Sequence, residues 1–138
     1  MNARDIMTSD VATIDESSTI AEALETLSTL EIRHLPVVRR GGAICGMLSD
    51  RDLRAFGFRS FPDTEPTETR LARLSAPVST VMSSDPLTVS PLTAVEDIVE
   101  LMLTEKVGAL PVLDPKSGEL VGIVSYLDVL RGVQPFWA

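Results

Sequence analysis

The chain is written twice, and that limits its fold more than any other feature. Ile6-Met7-Thr8-Ser9-Asp10 matches Val81-Met82-Ser83-Ser84-Asp85, and Thr13-Ile14 matches Thr88-Val89. Leu35-Pro36-Val37-Val38 matches Leu110-Pro111-Val112-Leu113 at the same shift of 75 residues, the step from Met7 to Met82. One extra residue in the second copy then aligns Gly46-Met47-Leu48-Ser49-Asp50-Arg51-Asp52 with Gly122-Ile123-Val124-Ser125-Tyr126-Leu127-Asp128. Blocks that match in the same order are the mark of a duplicated supersecondary unit, and two small halves sharing a core suit a chain of 138 residues.

Each copy reads as β-α-β-β-α, so the expected class is α/β. A short extended piece (12–14; 87–89) precedes a helix. The first helix carries Ile20, Leu24, Leu27 and Leu30 at helical spacing, and the second carries Val95, Ile98 or Val99, and Met102. Thr19 with Glu22 and Thr93 with Glu96 have the spacing of capping boxes. Those caps stand 74 residues apart rather than 75, which predicts that one helix starts a residue earlier than its counterpart. Leu35 to Val38 and Leu110 to Leu113 are continuous apolar runs, as in strands covered on both faces. Gly41-Gly42 and Asp114-Pro115-Lys116-Ser117-Gly118 supply turns into return strands at 43–48 and 120–124, and a second helix opens at Ser49 and at Ser125. The expected organisation is copy 1 over 1–58, a linker over 59–77 and copy 2 over 78–138. The linker is rich in proline and acid, with a short helical turn at Leu71 to Leu74. The tail from Gly132 ends in Phe136-Trp137 and is expected to pack on the body or on a partner.

Composition removes several classes. A formal charge of −8 repels a phosphate backbone, and aromatic residues at 4% leave few stacking platforms, so no nucleic-acid partner is expected. Five arginines of the first half (Arg33, Arg39, Arg40, Arg51 and Arg54) nevertheless leave room for a local basic patch. No apolar run is long enough to span a bilayer and no signal-peptide pattern opens the chain, which sets a cytoplasmic expectation with no membrane partner. The single cysteine, Cys45, can close no internal disulfide and falls on a strand, where a buried structural thiol is expected. His34 is the only histidine and has no companions at metal spacing, so a surface or pocket-wall role is expected and no metal site. The sequence holds no Ser-His-Asp set, no Walker phosphate loop and no dinucleotide-binding glycine fingerprint, and no enzyme is expected.

The combined pattern resembles the cystathionine-β-synthase (CBS) domain: a methionine after a short N-terminal turn, a capped helix, Leu-Pro-Val, a hairpin, then Gly-apolar-apolar-Ser-x-x-Asp. Both copies carry it, and the likeness spans all but the linker and tail. The resemblance implies two CBS motifs packed around a pseudo-twofold axis, a pair called a Bateman module. It also implies clefts between the motifs that hold AMP, ADP, ATP, S-adenosylmethionine or NADH, with no obligatory cofactor. A homodimer of such pairs, and regulation of a separate enzyme, channel or transporter, belong to the same expectation. A ligand-free module that only dimerises or docks on proteins is the alternative.

A nucleoside site needs an apolar slot for the base, an acceptor for the ribose diol and donors for phosphate, which a helix N-terminus can supply. Ser49 and Ser125 end a strand and start a helix. Asp52 and Asp128 lie one turn on, where a carboxylate can accept two hydroxyls. Within the family the Asp binds ribose and the Ser binds phosphate or ribose. The resemblance then assigns one pocket to Ser49 and Asp52 with Met82, Leu87, Val107 and Gly108, and the other to Ser125 and Asp128 with Met7, Ala12, Ile32 and Arg33. Arg51 inside the first motif corresponds to Leu127 in the second, which predicts that the first pocket favours a phosphorylated ligand. Ser-x-x-Asp is equally the sequence of a capping box, and one pair of side chains can serve both purposes. The methionines at 7 and 82 fit core packing as well as base contact.

Overall fold

Two β-hairpins anchor the fold, each within its own compact unit. The computed structural model describes residues 1–58 and 66–137. In chain order the elements are α1 (Ala3–Ile6), β1 (Ile14–Asp15), α2 (Ile20–Leu30), β2 (His34–Val38), β3 (Ile44–Ser49) and α3 (Asp50–Leu53), which runs on into a π-helical turn over Arg54–Phe58. Then come α4 (Thr67–Ser75), a 3-10 turn over Val78–Thr80, β4 (Ser83–Ser84), α5 (Val95–Glu105), β5 (Ala109–Leu113), β6 (Leu120–Ser125), α6 (Tyr126–Val133) and a last 3-10 turn over Gln134–Phe136. This is the mixed α/β class expected. Residues 59–65 of the expected linker lie outside the described residues. Within the rest of it stands a nine-residue helix, α4, packed on α2, in place of the short turn expected at Leu71 to Leu74.

The compact units are not the sequence repeats. One unit is Ala12–Asp85; the other joins Met1–Val11 to Pro86–Ala138. In the first unit the sheet order is β1-β2-β3-β4. Here β1 is parallel to β2 (Ile14 opposite Val37), β2 antiparallel to β3, and β4 antiparallel to β3 (Met47 opposite Ser83). The second unit repeats that order around the β5–β6 hairpin. Single bridges stand at the edges, Val89 parallel to Val112 and Thr8 antiparallel to Ile123. The eleven-residue leader of copy 1 therefore completes the hairpin of copy 2, and the segment entering copy 2 completes the hairpin of copy 1. Both hairpins carry a bulge at the same place, after Val37 and after Val112.

Helices α2 and α5 start at Ile20 and Val95, in step with the 75-residue shift, so the expected one-residue offset does not occur. Thr19 forms the expected box: its hydroxyl accepts from the Glu22 N–H (3.2 Å), and the Glu22 carboxylate accepts from the Thr19 N–H (3.3 Å). The Thr93–Glu96 box does not form. Ala94 holds the cap position without a side-chain bond, and Thr93 Oγ1 accepts from the Ser90 N–H (3.0 Å). The reason is register: α5 begins at Val95, so the cap position falls on Ala94, which has no side-chain acceptor. The Val95 N–H donates to the Met1 carbonyl (3.1 Å), and the Ala3 N–H donates to the Thr93 carbonyl (2.8 Å), so the leader satisfies the helix start. The counterparts in the first unit are Ile20 N–H to Ala76 carbonyl (2.9 Å) and Val78 N–H to Ser18 carbonyl (2.8 Å).

The apolar stripes bury as their spacing dictates. In the first unit Ile20, Ala23, Leu27, Leu35, Val37, Cys45, Leu48, Leu53 and Val78 form one core. In the second, Ile98, Met102, Leu110, Val112 and Val124 pack with Ala3 and Val89. Leu30, placed on the stripe by spacing, stands half-exposed on the last turn of α2. Fully burying a leucine or isoleucine contributes about 1.5–3 kcal/mol, so these clusters dominate stability. Both α2 and α5 stop at a left-handed residue, Glu31 (φ 54°) and Lys106 (φ 56°), a conformation that carries a steric penalty for any residue with a Cβ.

Candidate functional site

The two Gly-x-x-Ser-x-x-Asp segments end β3 and β6 and open α3 and α6, so each places a serine at a helix N-cap. Ser49 Oγ accepts from the Asp52 N–H (3.0 Å), and Asp52 Oδ2 accepts from the Ser49 N–H (2.9 Å). Ser125 and Asp128 make the same reciprocal box at 3.3 and 2.8 Å, with a further Ser125 hydroxyl donation to Asp128 Oδ2 (3.1 Å). In this state both pairs are capping boxes, the structural role their spacing allows. The residue two positions before each Leu-Pro-Val closes the same corner: the Asp50 N–H donates to the Arg33 carbonyl (3.0 Å), and the Tyr126 N–H to the Gly108 carbonyl (3.1 Å).

The glycine of the motif is explained by what stands over it. A Cβ built on Gly46 would lie 2.5 Å from Met82 Sδ and 2.9 Å from the Ser83 carbonyl oxygen. A Cβ on Gly122 would lie 2.5 Å from Met7 Sδ and 3.1 Å from the Thr8 carbonyl oxygen. Each methionine thus lies across the strand that leads into the serine–aspartate box, and only glycine leaves room for it. Sequence spacing pairs the methionines with each other. Only the fold shows that each one serves the hairpin of the other copy.

The first unit therefore brings together Ser49, Asp52 and Met82, with Arg51 exposed on α3 and without an ion pair among the described residues. Ala12 and Ile32 belong to this unit too, packed against its core, and Arg33 is exposed there. The second unit brings together Ser125, Asp128 and Met7. It also holds Val107 packed on its core, a half-buried Gly108, and Leu87 exposed to about two-fifths. Sequence reasoning overlooked Thr8, whose hydroxyl donates to Asp128 Oδ1 (3.2 Å). Its place directly after Met7 was the available signal. It also overlooked a groove of about 260 Å³ in the first unit, walled by Leu24, Leu27, Ile32 and Leu53 and rimmed by the Arg54–Asp50 ion pair (3.5 Å).

Electrostatics single out one group near these sites. Burial of His34, at the start of β2, pushes its imidazole below the ordinary value of 6.5; Asp50 and Asp52 pull it back up and Arg33 pushes it down. Burial likewise raises the Cys45 thiol, which sits 3.5 Å from the Val37 carbonyl oxygen and 3.6 Å from the Glu16 carboxylate, as expected of a packed thiol. Among the described residues no three His, Cys, Asp or Glu side chains are grouped to hold a metal, and no helix is long and apolar enough to cross a membrane.

The CBS domain family model matches residues 3–58 and again 78–134. This chain belongs to the CBS domain family. Among related CBS proteins, a CBS domain-containing protein of Dictyostelium discoideum is 37% identical over 128 residues, covering 92% of this chain and 87% of its own. The CBS domain-containing protein YhcV of Bacillus subtilis is 33% identical, covering 93% and 82%. Among solved CBS structures, CBSX2 in complex with AMP is 29% identical and superposes with a TM-score of 0.79 over 98% of this chain and 97% of its own.

Proposed function

We propose that this chain is a regulatory, non-catalytic CBS-pair module whose effector is an adenosine-type ligand: AMP, ADP, ATP, S-adenosylmethionine or NADH. The ribose would be held by Asp52 and Asp128, and phosphate would be met by Ser49 or Ser125 and the backbone donors of the helix start. One observation carries the reading. Asp52 spends only Oδ2 on its cap, and its Oδ1 has no hydrogen-bond partner among the described residues, so an acceptor stands ready beside Ser49. The AMP complex of CBSX2 supports the ligand class by kinship. Arg51 adds a cation on the exposed side of α3, which favours a phosphorylated ligand in the first unit. Leu87, Val107, Gly108, Ala12, Ile32 and Arg33 are proposed as base-side residues on the strength of the resemblance.

A ligand shifts a regulatory state only through different affinity for two conformations, so occupancy would be read out by a partner enzyme or transporter, or by a second copy. A protein-contact role has its own support. Helix α6 buries no side chain, and Leu127, Leu130, Phe136 and Trp137 are each more than half exposed along it and the tail. We assign that face to a homodimer.

Thermal-shift titration with the five ligands tests the reading, because anything binding only the folded state raises its apparent stability by mass action. At least one ligand is expected to raise the melting temperature of the wild type and to fail with Asp52→Ala combined with Asp128→Ala. No shift at millimolar ligand would overturn the sensing role and leave the contact role.

A further inference from the structure

The two serine–aspartate boxes differ in two contacts, the Ser125 hydroxyl donation to Asp128 Oδ2 and one made by Thr8. Thr8 is locked on β6 by a pair of backbone bonds, its N–H to the Ile123 carbonyl (2.9 Å) and the Ile123 N–H to its carbonyl (3.0 Å). From there its hydroxyl donates to Asp128 Oδ1 (3.2 Å), while Ser125 occupies Oδ2. Both carboxylate oxygens of Asp128 are engaged. In the first unit Ser83 holds the place of Thr8, opposite Met47, and no bond joins it to Asp52. Position for position, the acceptor that is open on Asp52 is occupied on Asp128.

We infer that Thr8 is a specificity-determining residue: its hydroxyl is an internal competitor for the acceptor oxygen of Asp128 and weakens the ribose end of the Asp128 site, separately from the Arg51–Leu127 difference at the phosphate end. The inference rests on the proposed adenosine reading. A diol that takes Asp128 Oδ1 must displace the Thr8 hydroxyl, which is then left in the wet rim of the site, whereas a diol at Asp52 displaces nothing from the protein. Graded response follows, with one site filling before the other. The leader residue beside Met7 becomes the part of the second unit that feels occupancy. Losing one hydrogen bond of this kind corresponds to roughly a threefold to tenfold change in affinity.

Methionine methyl resonances resolve the two sites, since Met82 lies against Gly46 and Met7 against Gly122. With [13C-methyl]methionine protein titrated with AMP, Met82 is expected to respond at lower AMP than Met7. Thr8→Val, which keeps the shape and removes the hydroxyl, is expected to lower the Met7 midpoint threefold to tenfold and leave the Met82 midpoint in place, and Thr8→Ser to behave as wild type. In the ligand-free protein Thr8→Val is also expected to move the Asp128 carboxyl 13C resonance and not that of Asp52. A Met7 midpoint that stays or rises in Thr8→Val, with both methionines still responding, overturns the competitor and spares the adenosine reading. Silence of both methionines at millimolar AMP overturns both, and an unmoved Asp128 resonance overturns the contact itself.

Discussion

Gly46→Ala puts a methyl group where the strand opening the first serine–aspartate box has no room. The added carbon would meet Met82 Sδ at 2.5 Å, Met82 Cγ at 3.0 Å and the Ser83 carbonyl oxygen at 2.9 Å. Carbon contacts settle near 3.5–4.0 Å, so the overlap is about 1 Å. The thioether can swing aside. The Ser83 carbonyl cannot, because it is backbone of β4, and β4 must slide along β3 to clear it. Overpacking of this sort costs about 1–3 kcal/mol. For a domain of this length that is a melting temperature lower by roughly 3–15 °C, read by circular dichroism. Met82→Ala in the same background removes the thioether clash and keeps the carbonyl one, so the two changes should couple by about 1 kcal/mol in a double-mutant cycle. AMP affinity should fall with Gly46→Ala, since Met82 moves off the site. A melting temperature within about 1 °C of wild type, or strictly additive mutations, would refute the packing argument.

Three further outcomes are expected. Arg51→Ala should weaken AMP severalfold and adenosine hardly at all by calorimetry, and equal losses would remove Arg51 from phosphate binding. His34 has a folded pKa below 6.5, so it contributes stability that is complete above that pH and is lost as pH falls through the folded value. Urea melts at pH 7.5 and pH 5 should therefore differ less in His34→Gln than in wild type, and an unchanged difference would refute this. Lys106→Gly should raise stability by about 0.5–1 kcal/mol in denaturant melts, because relief of the left-handed strain exceeds the added chain entropy of glycine; a loss would mean that the αL cap carries no strain.

Much of this was legible in the sequence because it depends on neighbours along the chain. The hairpins follow from apolar runs interrupted by Gly41-Gly42 and by Asp114, whose carboxylate accepts from the Lys116 N–H (2.8 Å) to build the turn. The serine–aspartate boxes follow from a three-residue spacing. Most of what escaped depends on residues far apart. The failure of the Thr93 cap is a matter of register instead: α5 begins at Val95, one residue later than a Thr93 cap requires, and Ala94 takes the cap position. The leader's allegiance to the second hairpin has no local signature, since Met7 and Met82 look alike whichever hairpin they cover. Thr8 was missed for the same reason: its partner, Asp128, is 120 residues on.

Isothermal calorimetry with AMP, run on wild type, Asp52→Asn, Asp128→Asn and the double variant, bears most directly on whether these helix caps double as ribose acceptors. Heat of binding should be present in wild type, diminished most by Asp52→Asn, and gone in a double variant whose circular dichroism remains native. Undiminished binding in that folded double variant would contradict the account.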